Sequence, residues 1–300
     1  MIPCNVSFTK IHAVGNDFIC LDSTHGQYRE LLDSDSLAAV VQRLCRRGLG
    51  IGADGVIFAE APQPGNGAQV RARFMEPDGS EAELCGNGTA CFTYWALQEE
   101  LVSGSEVTVA TDAGHARARV HPEDKNRIRV CIPDPREMQF DRHIGVKDED
   151  WTVHSLVIGV PHAVAFVEGL EALDVPHWGP GIRHHAEFGA RGINANFVEI
   201  LEEGHIAVRT YEFGVESETL ACGTGASASA IIACLQSQWA EPYRRGETPV
   251  LVDVRGGETL RVWFVCEHGT EISDVCLETR VCAVYEGRIR CEFAATLPRP

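Results

Sequence analysis

An internal repeat constrains the fold of this chain more than any other feature of its sequence. The segment 73–76, Arg-Phe-Met-Glu, recurs at 209–212 as Arg-Thr-Tyr-Glu. The block 80–88 then recurs at 217–225, displaced by one residue more, and both copies end in Cys-Gly-x-Gly. Self-similarity at a nearly fixed offset is the signature of repeated structural units rather than of chance. We therefore expect two copies of one unit, each with a strand, a loop, a cysteine and a helix start.

The predicted elements favour an α+β fold. Short runs of β-branched and aromatic residues between turn residues predict strands over 70–74, 106–110, 127–132, 155–166, 196–201, 206–211, 250–254 and 260–265. Proline-free stretches rich in Ala and Leu predict buried helices over 88–100 and 225–236, and a third helix is expected over 36–46. Strands outnumber helices, which argues against alternating βαβ units. The charged, turn-rich stretch 133–150 is the candidate linker.

The charge balance excludes several classes of partner. Lys and Arg number 26 against 43 Asp and Glu, a net charge of −17. Such a surface repels phosphate backbones and anionic lipids, so neither nucleic acid nor membrane is an expected partner. No apolar run approaches the ~18 residues of a spanning helix, and the opening residues lack the plan of a secretory signal. We expect a cytoplasmic protein and, on symmetry grounds, a homodimer.

The cysteines do not read as a disulfide scaffold or as a metal site. Twelve cysteines are spread over 300 residues, a dilution that fits a reducing compartment. The nearest pairs, 85/91 and 276/282, are too widely spaced for structural zinc, so no metal is expected. Most of the others are expected to be small buried hydrophobic residues, among them Cys4, Cys20, Cys45, Cys131, Cys234, Cys266 and Cys291.

Cys85 and Cys222 are different, because each precedes a predicted helix in a Cys-Gly-x-Gly motif. The first amides of a helix have no intrahelical partner, and their partial positive charge favours anions and thiolate over thiol. Glycines there let another molecule approach the backbone closely. If the two halves face each other, a carboxylate held by both helix starts would place one sulfur on either side of the neighbouring atom.

Two acid/base groups on opposite faces of one carbon are what an inversion of configuration requires. One thiolate removes a proton from one face, and the opposing thiol delivers a proton to the other. Because two sulfurs at close range do not both ionise easily, the pair is expected to share one proton. The competing interpretation is a redox disulfide between Cys85 and Cys222. We treat it as a liability of the mechanism, because dedicated dithiol sites use the Cys-x-x-Cys spacing that is absent here.

Four sequence blocks together resemble the diaminopimelate epimerase family. They are Gly-Asn-Asp-Phe at 15–18, Gly-Ile-Gly-Ala-Asp-Gly at 50–55, the block from Asp-Gly-Ser-Glu to Cys-Gly-Asn-Gly at 78–88, and Glu-Thr-Leu-Ala-Cys-Gly-Thr-Gly at 218–225. The likeness extends from about residue 8 to the Val-Tyr-Glu-Gly segment at 284–287. Several blocks in the same order make the resemblance specific.

The resemblance implies a fold, a mechanism and a set of site residues. It implies two pseudo-symmetric domains, each a mixed or antiparallel sheet wrapped around a central helix, with the C-terminal strand returning to the first. The expected domains are 1–134 plus 280–300, which carries Cys85, and 135–279, which carries Cys222. The implied chemistry is two-base, without pyridoxal phosphate, metal or other cofactor. Besides the two catalytic cysteines, the positions carried over are the carboxylate-binding amides of Gly86, Asn87, Gly223 and Thr224, the substrate contacts Asn16, Asn194 and Glu212, and His162 close to the site.

The chain departs from the family where the distal end of the substrate is held. Glu76 and Val160 stand where asparagine is usual, and Phe213 stands where arginine is usual. An aromatic ring cannot replace a guanidinium that binds a carboxylate through two charge-assisted hydrogen bonds. Glu76 and Phe213 are therefore expected to contact an altered side chain, with Val160 behind them beside His162. The carboxylates of Glu76 and Glu212, together with the ring of Phe213, favour a cationic or imidazole-bearing side chain on the substrate.

The sequence thus predicts an isomerase, a cofactor-independent amino-acid racemase or epimerase. Histidine, lysine and ornithine are the candidate small-molecule substrates. One alternative is a conventional diaminopimelate epimerase that converts the LL to the meso form. Another, of a different class, is an inactive amino-acid binding protein that keeps the cleft. A proline-racemase-like activity is a further option within the same mechanism, although Asn16 and Asn87 fit that branch less well.

Overall fold

The chain divides into two compact units. In this computed structural model, which describes residues 6–82, 85–267 and 269–290, unit 1 comprises Met1–Val130 and Arg280–Pro300, and unit 2 comprises Cys131–Thr279. The first boundary between the units lies after Val130, whereas the sequence analysis predicted it after residue 134. The backbone explains the difference, because Ile132 N–H donates to Val275 O, 2.9 Å away, within unit 2.

Unit 1 contains the first strands and helices of the chain. In order they are β1 (Val6–Ala13), β2 (Asn16–Ser23), α1 (Arg29–Leu32), α2 (Leu37–Cys45), β3 (Gly55–Glu60), β4 (Val70–Met75), β5 (Glu81–Ala82), α3 (Gly86–Gln98), β6 (Glu106–Thr111), β7 (Gly114–Val120) and β8 (Arg127–Cys131).

Unit 2 contains the elements that follow. They are β9 (Arg136–Val146), β10 (Glu149–Ile158), β11 (Val160–Phe166), α4 (Val175–Arg183), β12 (Asn194–Glu202), β13 (His205–Glu212), β14 (Ser217–Thr219), α5 (Gly223–Gln236), α6 (Glu241–Arg244), β15 (Val250–Val254), β16 (Thr259–Cys266) and the first part of β17 (Ile272–Ile289). Short 3₁₀ turns, Leu170–Ala172 and Ala186–Phe188, lie on either side of α4. The last part of β17 belongs to unit 1.

The two units share one pattern of strand pairing. In unit 1 the order is β17, β1, β2, β3, β4, β6, β7 and β8, and only the β2–β3 and β4–β6 pairs are parallel. In unit 2 the order is β9, β10, β11, β12, β13, β15, β16 and β17, and only β11–β12 and β13–β15 are parallel. The short strands β5 and β14 pair with β4 and β13. The internal repeat and the α+β fold are therefore confirmed.

Each sheet packs around one buried helix. In unit 1, Ala90, Phe92 and Trp95 of α3 lie in one apolar cluster with inward residues of β1, β2, β4 and β6. In unit 2, α5 buries every residue from Gly225 to Cys234 and contacts β10–β13 and the strands β15 and β16. A helix that is apolar on all sides is stable only inside a core. The predicted helices are confirmed, each shifted by no more than about two residues.

Two local predictions are wrong. The segment 155–166 is not one strand, because Gly159 adopts a positive φ of 65° and turns the chain between β10 and β11. The stretch 133–150 is not a linker, since most of it forms β9 and its antiparallel pairing with β10. Arg136, Glu137 and Asp141 of β9 are exposed, while Ile144 and Val146 are buried. The charged and turn residues of this stretch therefore led to the prediction of a linker, although the segment forms a half-buried strand.

One cysteine prediction is also wrong. Cys131 is not a free thiol but forms a disulfide with Cys276 in unit 2. Cys20, Cys45, Cys234 and Cys266 are free and buried as expected, and Cys4 and Cys291 lie outside the described residues. Within the ranges 6–82, 85–267 and 269–290, no helix has the length and apolar character needed to cross a bilayer.

Candidate active site

Cys85 and Cys222 occupy equivalent positions in the two units. Each is the N-cap residue of the central helix, with an extended backbone. The Cys85 sulfur accepts a hydrogen bond from Gly88 N–H at 3.3 Å, and the Cys222 sulfur accepts one from Gly225 N–H at 3.4 Å. A sulfur that accepts from a helix N-terminus is stabilised as thiolate, because the amide donors and the helix dipole favour negative charge there.

The second glycine of each motif has a packing role. A Cβ on Gly88 would lie 3.0 Å from the Phe74 ring, and a Cβ on Gly225 would lie 2.4 Å from Asn196 Oδ1. Either substitution would push a neighbour away from the helix start. Gly88 and Gly225 were expected to let another molecule approach the backbone. In the structure, each instead leaves room for a side chain of its own unit.

Beside Cys85, the structure places the predicted site residue Asn16. Asn16 begins β2, its Oδ1 lies 4.0 Å from the Cys85 sulfur, and its Nδ2 donates to Asp54 at 3.3 Å. The Oδ1 of Asn87, the second residue of α3, is buried and has no hydrogen-bond partner in the described part of the chain. A buried acceptor without a donor is unfavourable unless something else satisfies it.

An ionic network supports Asn16 from behind. Asp17, the next residue, forms ion pairs with Lys10 at 2.8 Å and with Arg47 at 2.7 Å, and Arg47 also reaches Asp54 at 2.9 Å. Lys10 is only 5% exposed and also donates to the Gly52 carbonyl. Burial alone would raise the pKa of Asp17, but hydrogen bonds and charge from Arg47 and Lys10 lower it overall. Asp17 is therefore ionised in the folded protein.

The distal-site candidate of unit 1, Glu76, follows the end of β4. Its N–H donates to Ser80 O at 2.8 Å, which closes the Asp78–Gly79 turn, and its side chain is exposed. Partial desolvation and the nearby carboxylates of Asp78 and Asp54 raise its pKa. A cationic group beside Glu76 would relieve this repulsion. Gly86 is the first residue of α3, directly after Cys85.

Beside Cys222, the structure builds a chain of neutral polar groups. The Cys222 sulfur lies 3.6 Å from Thr224 Oγ1, which lies 3.0 Å from Nε2 of His162. Nδ1 of His162 lies 3.3 Å from Nδ2 of Asn196, and Asn196 Oδ1 accepts from the Thr210 hydroxyl at 2.9 Å. Burial lowers the pKa of His162 to about 3, so its imidazole is neutral. The sequence indicated His162 and Thr224 but not Asn196 or Thr210.

Asn194, a predicted substrate contact, lies beside Phe213, which belongs to the predicted distal site. Asn194 is buried, its Oδ1 accepts from Phe213 N–H at 2.7 Å, and its Nδ2 donates to Pro161 O at 3.2 Å. Both ends of this amide are thus engaged with the backbone, and Asn194 positions the Phe213 loop. Glu212, the last residue of β13, precedes it, and Val160 stands at the start of β11. Gly223 begins α5 directly after Cys222.

Two arginines that the sequence did not indicate lie over Phe213. The guanidinium of Arg183 is 4.3 Å and that of Arg191 is 5.3 Å from the ring centroid. Arg183 is buried and bonded to Arg191 O and to Glu216 Oε1, whereas the side chain of Arg191 is exposed. Both come from the segment around the second 3₁₀ turn, far from the motifs in sequence. Two guanidinium groups therefore lie over the ring of Phe213, which stands where arginine is usual in the family.

No group of three or more His, Cys, Asp or Glu side chains is placed to hold a metal ion in the described parts of the chain.

Comparison with known sequences identifies the family of this chain. A family model described as diaminopimelate epimerase matches residues 8–136 and 155–273. The diaminopimelate epimerase of Methanocella arvoryzae is 36% identical over 300 residues, which cover 97% of this chain and 99% of the relative. That of Aquifex aeolicus is 36% identical over 290 residues, which cover 95% and 98%.

Solved structures share the fold at low sequence identity. A phenazine biosynthesis protein of the PhzF family from Bacillus anthracis matches with a TM-score of 0.71 and 15% identity, covering 95% of this chain and 99% of that one. A hydroxyproline epimerase from Agrobacterium vitis matches with a TM-score of 0.69 and 16% identity, covering 96% and 92%. The fold thus recurs in proteins of different described function, so activity has to be argued from the site.

Proposed function

Because the chain belongs to the diaminopimelate epimerase family, and is an isomerase of the racemase and epimerase class, we propose that it inverts an amino acid at its α-carbon with Cys85 and Cys222 as its two acid/base groups. The observation that carries the proposal is the equivalent N-cap position of the two cysteines, each accepting a hydrogen bond from the third amide of its helix. No pyridoxal phosphate, metal or other cofactor takes part in the proposed reaction.

The proposed reaction moves one proton at each face of the α-carbon. The thiolate of one cysteine takes the α-proton and becomes a thiol, which leaves a carbanion beside the substrate carboxylate. The thiol of the other cysteine then donates its proton to the opposite face and becomes the thiolate. Reversal exchanges the two roles, so that the same groups serve both directions.

The helix starts supply the charge stabilisation that this reaction needs. The amides of Gly86 and Asn87 in α3, and of Gly223 and Thr224 in α5, have no intrahelical acceptor and are the proposed carboxylate donors. Negative charge that spreads onto the carboxylate in the carbanion would strengthen these hydrogen bonds. Asn87 Oδ1, which is buried and has no donor among residues 6–82, 85–267 and 269–290, is the proposed acceptor for the α-ammonium group.

A basic or imidazole-bearing amino acid, such as histidine, lysine or ornithine, is the proposed substrate. Glu76 supports it, because desolvation and the nearby carboxylates of Asp78 and Asp54 raise its pKa, and a cationic side chain beside it would relieve that repulsion. The replacement of arginine by Phe213 supports it as well, because that position no longer supplies a bidentate donor for a carboxylate. Cytoplasmic location belongs to the same proposal, since that compartment keeps both reacting thiols reduced. The disulfide between Cys131 and Cys276 would be an exception there, because disulfides are rare in cytosolic proteins.

Diaminopimelate is the second candidate substrate, and one observation favours it. Arg191 has an exposed guanidinium over Phe213, where it could bind a distal carboxylate in place of the missing arginine. The curated relatives named above are diaminopimelate epimerases. The two candidates differ in the sign of the charge that the distal site must recognise.

A substrate screen in deuterated water separates these candidates. The purified protein is incubated with L-histidine, L-lysine, L-ornithine or LL-diaminopimelate, and α-deuteration and optical rotation are followed. We expect exchange coupled to loss of rotation, with the largest kcat/KM on one of the three basic amino acids. A higher kcat/KM on LL-diaminopimelate would establish the second candidate.

Cys85→Ser and Cys222→Ser are the matched controls of that screen. Each should lower turnover by about 10²–10⁴-fold, the usual contribution of an acid/base group, while ligand affinity is retained. Absence of exchange with all four compounds, together with ligand affinity that neither variant alters, would instead support the binding-protein alternative.

A further inference from the structure

We infer that Asn196 and Thr210 are positioning residues for Cys222, because they hold His162 in the one tautomer that makes the Thr224 hydroxyl donate to the Cys222 sulfur. The inference rests on the proposed function only in taking Cys222 as a reacting thiol. The orientation of the hydrogen bonds follows from buried groups of unit 2 alone.

The side-chain amide of Asn196 has only one permissible orientation. Its Nδ2 lies 2.9 Å from the carbonyl oxygen of Ala163, which can only accept a hydrogen bond. A flipped amide would set Oδ1 against that oxygen, two acceptors in contact at a buried position. Nδ2 therefore faces Ala163, and its second proton points to Nδ1 of His162, 3.3 Å away. The Thr210 hydroxyl donates to Oδ1 and completes the set.

This orientation fixes the His162 proton. Nδ1 faces a donor, so it must be the unprotonated nitrogen, and the proton of the neutral ring is on Nε2. His162 is fully buried, and burial lowers its pKa to about 3, which excludes the imidazolium form at neutral pH. Nε2–H then donates to Thr224 Oγ1 at 3.0 Å.

The Thr224 hydroxyl consequently has its own proton free to donate. The Cys222 sulfur lies 3.6 Å from Thr224 Oγ1, within hydrogen-bond range of sulfur, and also accepts from Gly225 N–H. Two donors and a helix start thus favour the thiolate. His162 does not act as a base in this arrangement, because its unprotonated nitrogen is turned away from the thiol and towards Asn196.

The second glycine of the motif makes the arrangement sterically feasible. Asn196 Oδ1 would lie 2.4 Å from any Cβ at position 225, so that only glycine lets the amide lie beneath the helix start. The strands that pack against α5 also carry charged or titratable groups, namely Glu149, Asp150 and His154 of β10, Glu199 and Glu202 of β12, His205, Arg209 and Glu212 of β13, Asp253 of β15 and Arg261 of β16, and the adjacent β14 carries Glu218. Arg209 and Glu218 form a bidentate pair at 2.6 and 2.9 Å, which balances their charge.

The test compares the two cysteines of one protein sample. The rate of iodoacetamide alkylation is measured against pH on the separate peptides of Cys222 and Cys85, without substrate. Thr224→Val should raise the apparent pKa of Cys222 by about one unit, so that its alkylation at pH 7 slows by about tenfold, the expected loss of one hydrogen bond to a charged group. The pKa of Cys85 should stay unchanged, and Thr224→Ser should restore the parent value for Cys222.

A second measurement reads the tautomer directly and does not depend on a substitution that alters folding. In long-range ¹H–¹⁵N spectra of the parent protein, His162 should show an unprotonated Nδ1 and a protonated Nε2 from pH 6 to 8, with His162→Gln used for assignment. Asn196→Leu should allow the other tautomer and give a smaller rise in the Cys222 pKa. Protonation of Nδ1 in the parent, or a Cys222 pKa that Thr224→Val leaves unchanged, would overturn the inference.

These results are separable from the proposed function. The pKa shift with no α-exchange on any amino acid would retain the positioning network and refute the racemase. Exchange at the α-carbon without a shift in the Cys222 pKa would support the racemase and refute the positioning network.

Discussion

The two cysteine-bearing helix starts have the same backbone and different polar support. Behind Cys85, unit 1 places the charged groups Lys10, Asp17 and Arg47, which hold the start of β2, where Asn16 lies. Behind Cys222, unit 2 places the neutral groups of Thr224 and His162. The repeat thus preserved the geometry of the helix start while its surroundings diverged. Equivalent cysteines can therefore respond differently to pH and to mutation, which the following predictions test.

The largest effect is expected from Lys10→Met in unit 1. This change leaves Asp17 partly buried beside one exposed arginine, and loss of one partner of a buried ion pair costs about 3–5 kcal/mol. Hydrogen exchange should show lower protection of α3 and little change in α5. Arg119→Met, which removes the exposed pair with Glu106, is the control and should cost less than about 1 kcal/mol. Equal loss of protection in α3 and α5 would contradict the assignment of this network to unit 1.

Removal of the disulfide should affect unit 2. The bond between Cys131 and Cys276 closes a sequence separation of 145 residues, and disulfides typically contribute about 2–4 kcal/mol. The double variant Cys131→Ser/Cys276→Ser should lower the melting temperature in calorimetry and weaken protection of α5 more than that of α3. Cys282→Ser, at an exposed free cysteine of unit 1, should leave the melting temperature unchanged. If the melting temperature and the protection of α5 are unchanged in the double variant, the disulfide contributes no stability.

Acid should destabilise unit 2 before unit 1. The folded-state pKa of His162 lies below its ordinary value of 6.5, so its contribution to stability is complete above pH 6.5 and falls at about 1.4 kcal/mol per pH unit towards pH 3. Burial lowers the pKa of His154, also in unit 2, in the same direction. Asp17 has a lowered pKa, so its contribution is lost only as the pH falls below about 3.8.

The measurement is protection of α3 and α5 against hydrogen exchange at pH 7 and pH 5, corrected for intrinsic rates. Protection of α5 should fall by more than that of α3, and His162→Gln should reduce the difference. Preferential loss in α3 over this pH range would show that the charged network, and not the buried histidine, limits stability in acid.

The smallest effects concern Glu76 and Arg191, the charged groups proposed to face the distal end of the substrate. If the substrate side chain is cationic, Glu76→Gln should lower kcat/KM by about tenfold, the value of one charge contact, and Arg191→Gln should raise it several-fold by removing a like charge. Steady-state kinetics on the preferred substrate measure both. If Glu76→Gln instead raises kcat/KM and Arg191→Gln lowers it, the substrate carries a distal carboxylate.

The sequence predicted the parts of the molecule that are encoded locally. Cys-Gly-x-Gly before an apolar stretch indicated both helix starts, and the recurrence of the surrounding blocks indicated two similar units. These features depend on neighbouring residues, through capping and helix propensity. Motif resemblance then indicated the family, which is confirmed by identities of about one third over nearly the whole chain.

The remaining features depend on tertiary contacts that the sequence does not display. The pairing of Cys131 with Cys276 requires the arrangement of segments 145 residues apart. The stacking of Arg191 on Phe213 joins a 3₁₀ segment to a loop after β13. Asn196 lies in a β-branched and aromatic run that reads as an ordinary strand, and nothing local marks it as a partner of His162.

The central claim is that Cys85 and Cys222 act at opposite faces of one carbon, and the isotopic content of both enantiomers during the first turnovers in deuterated water tests it most directly. When the L-amino acid is the starting material, the D-product should carry solvent deuterium at its α-carbon while the unreacted L-form still carries protium. A D-product that keeps the original α-proton would show that one base serves both faces, and the two-cysteine mechanism would be wrong.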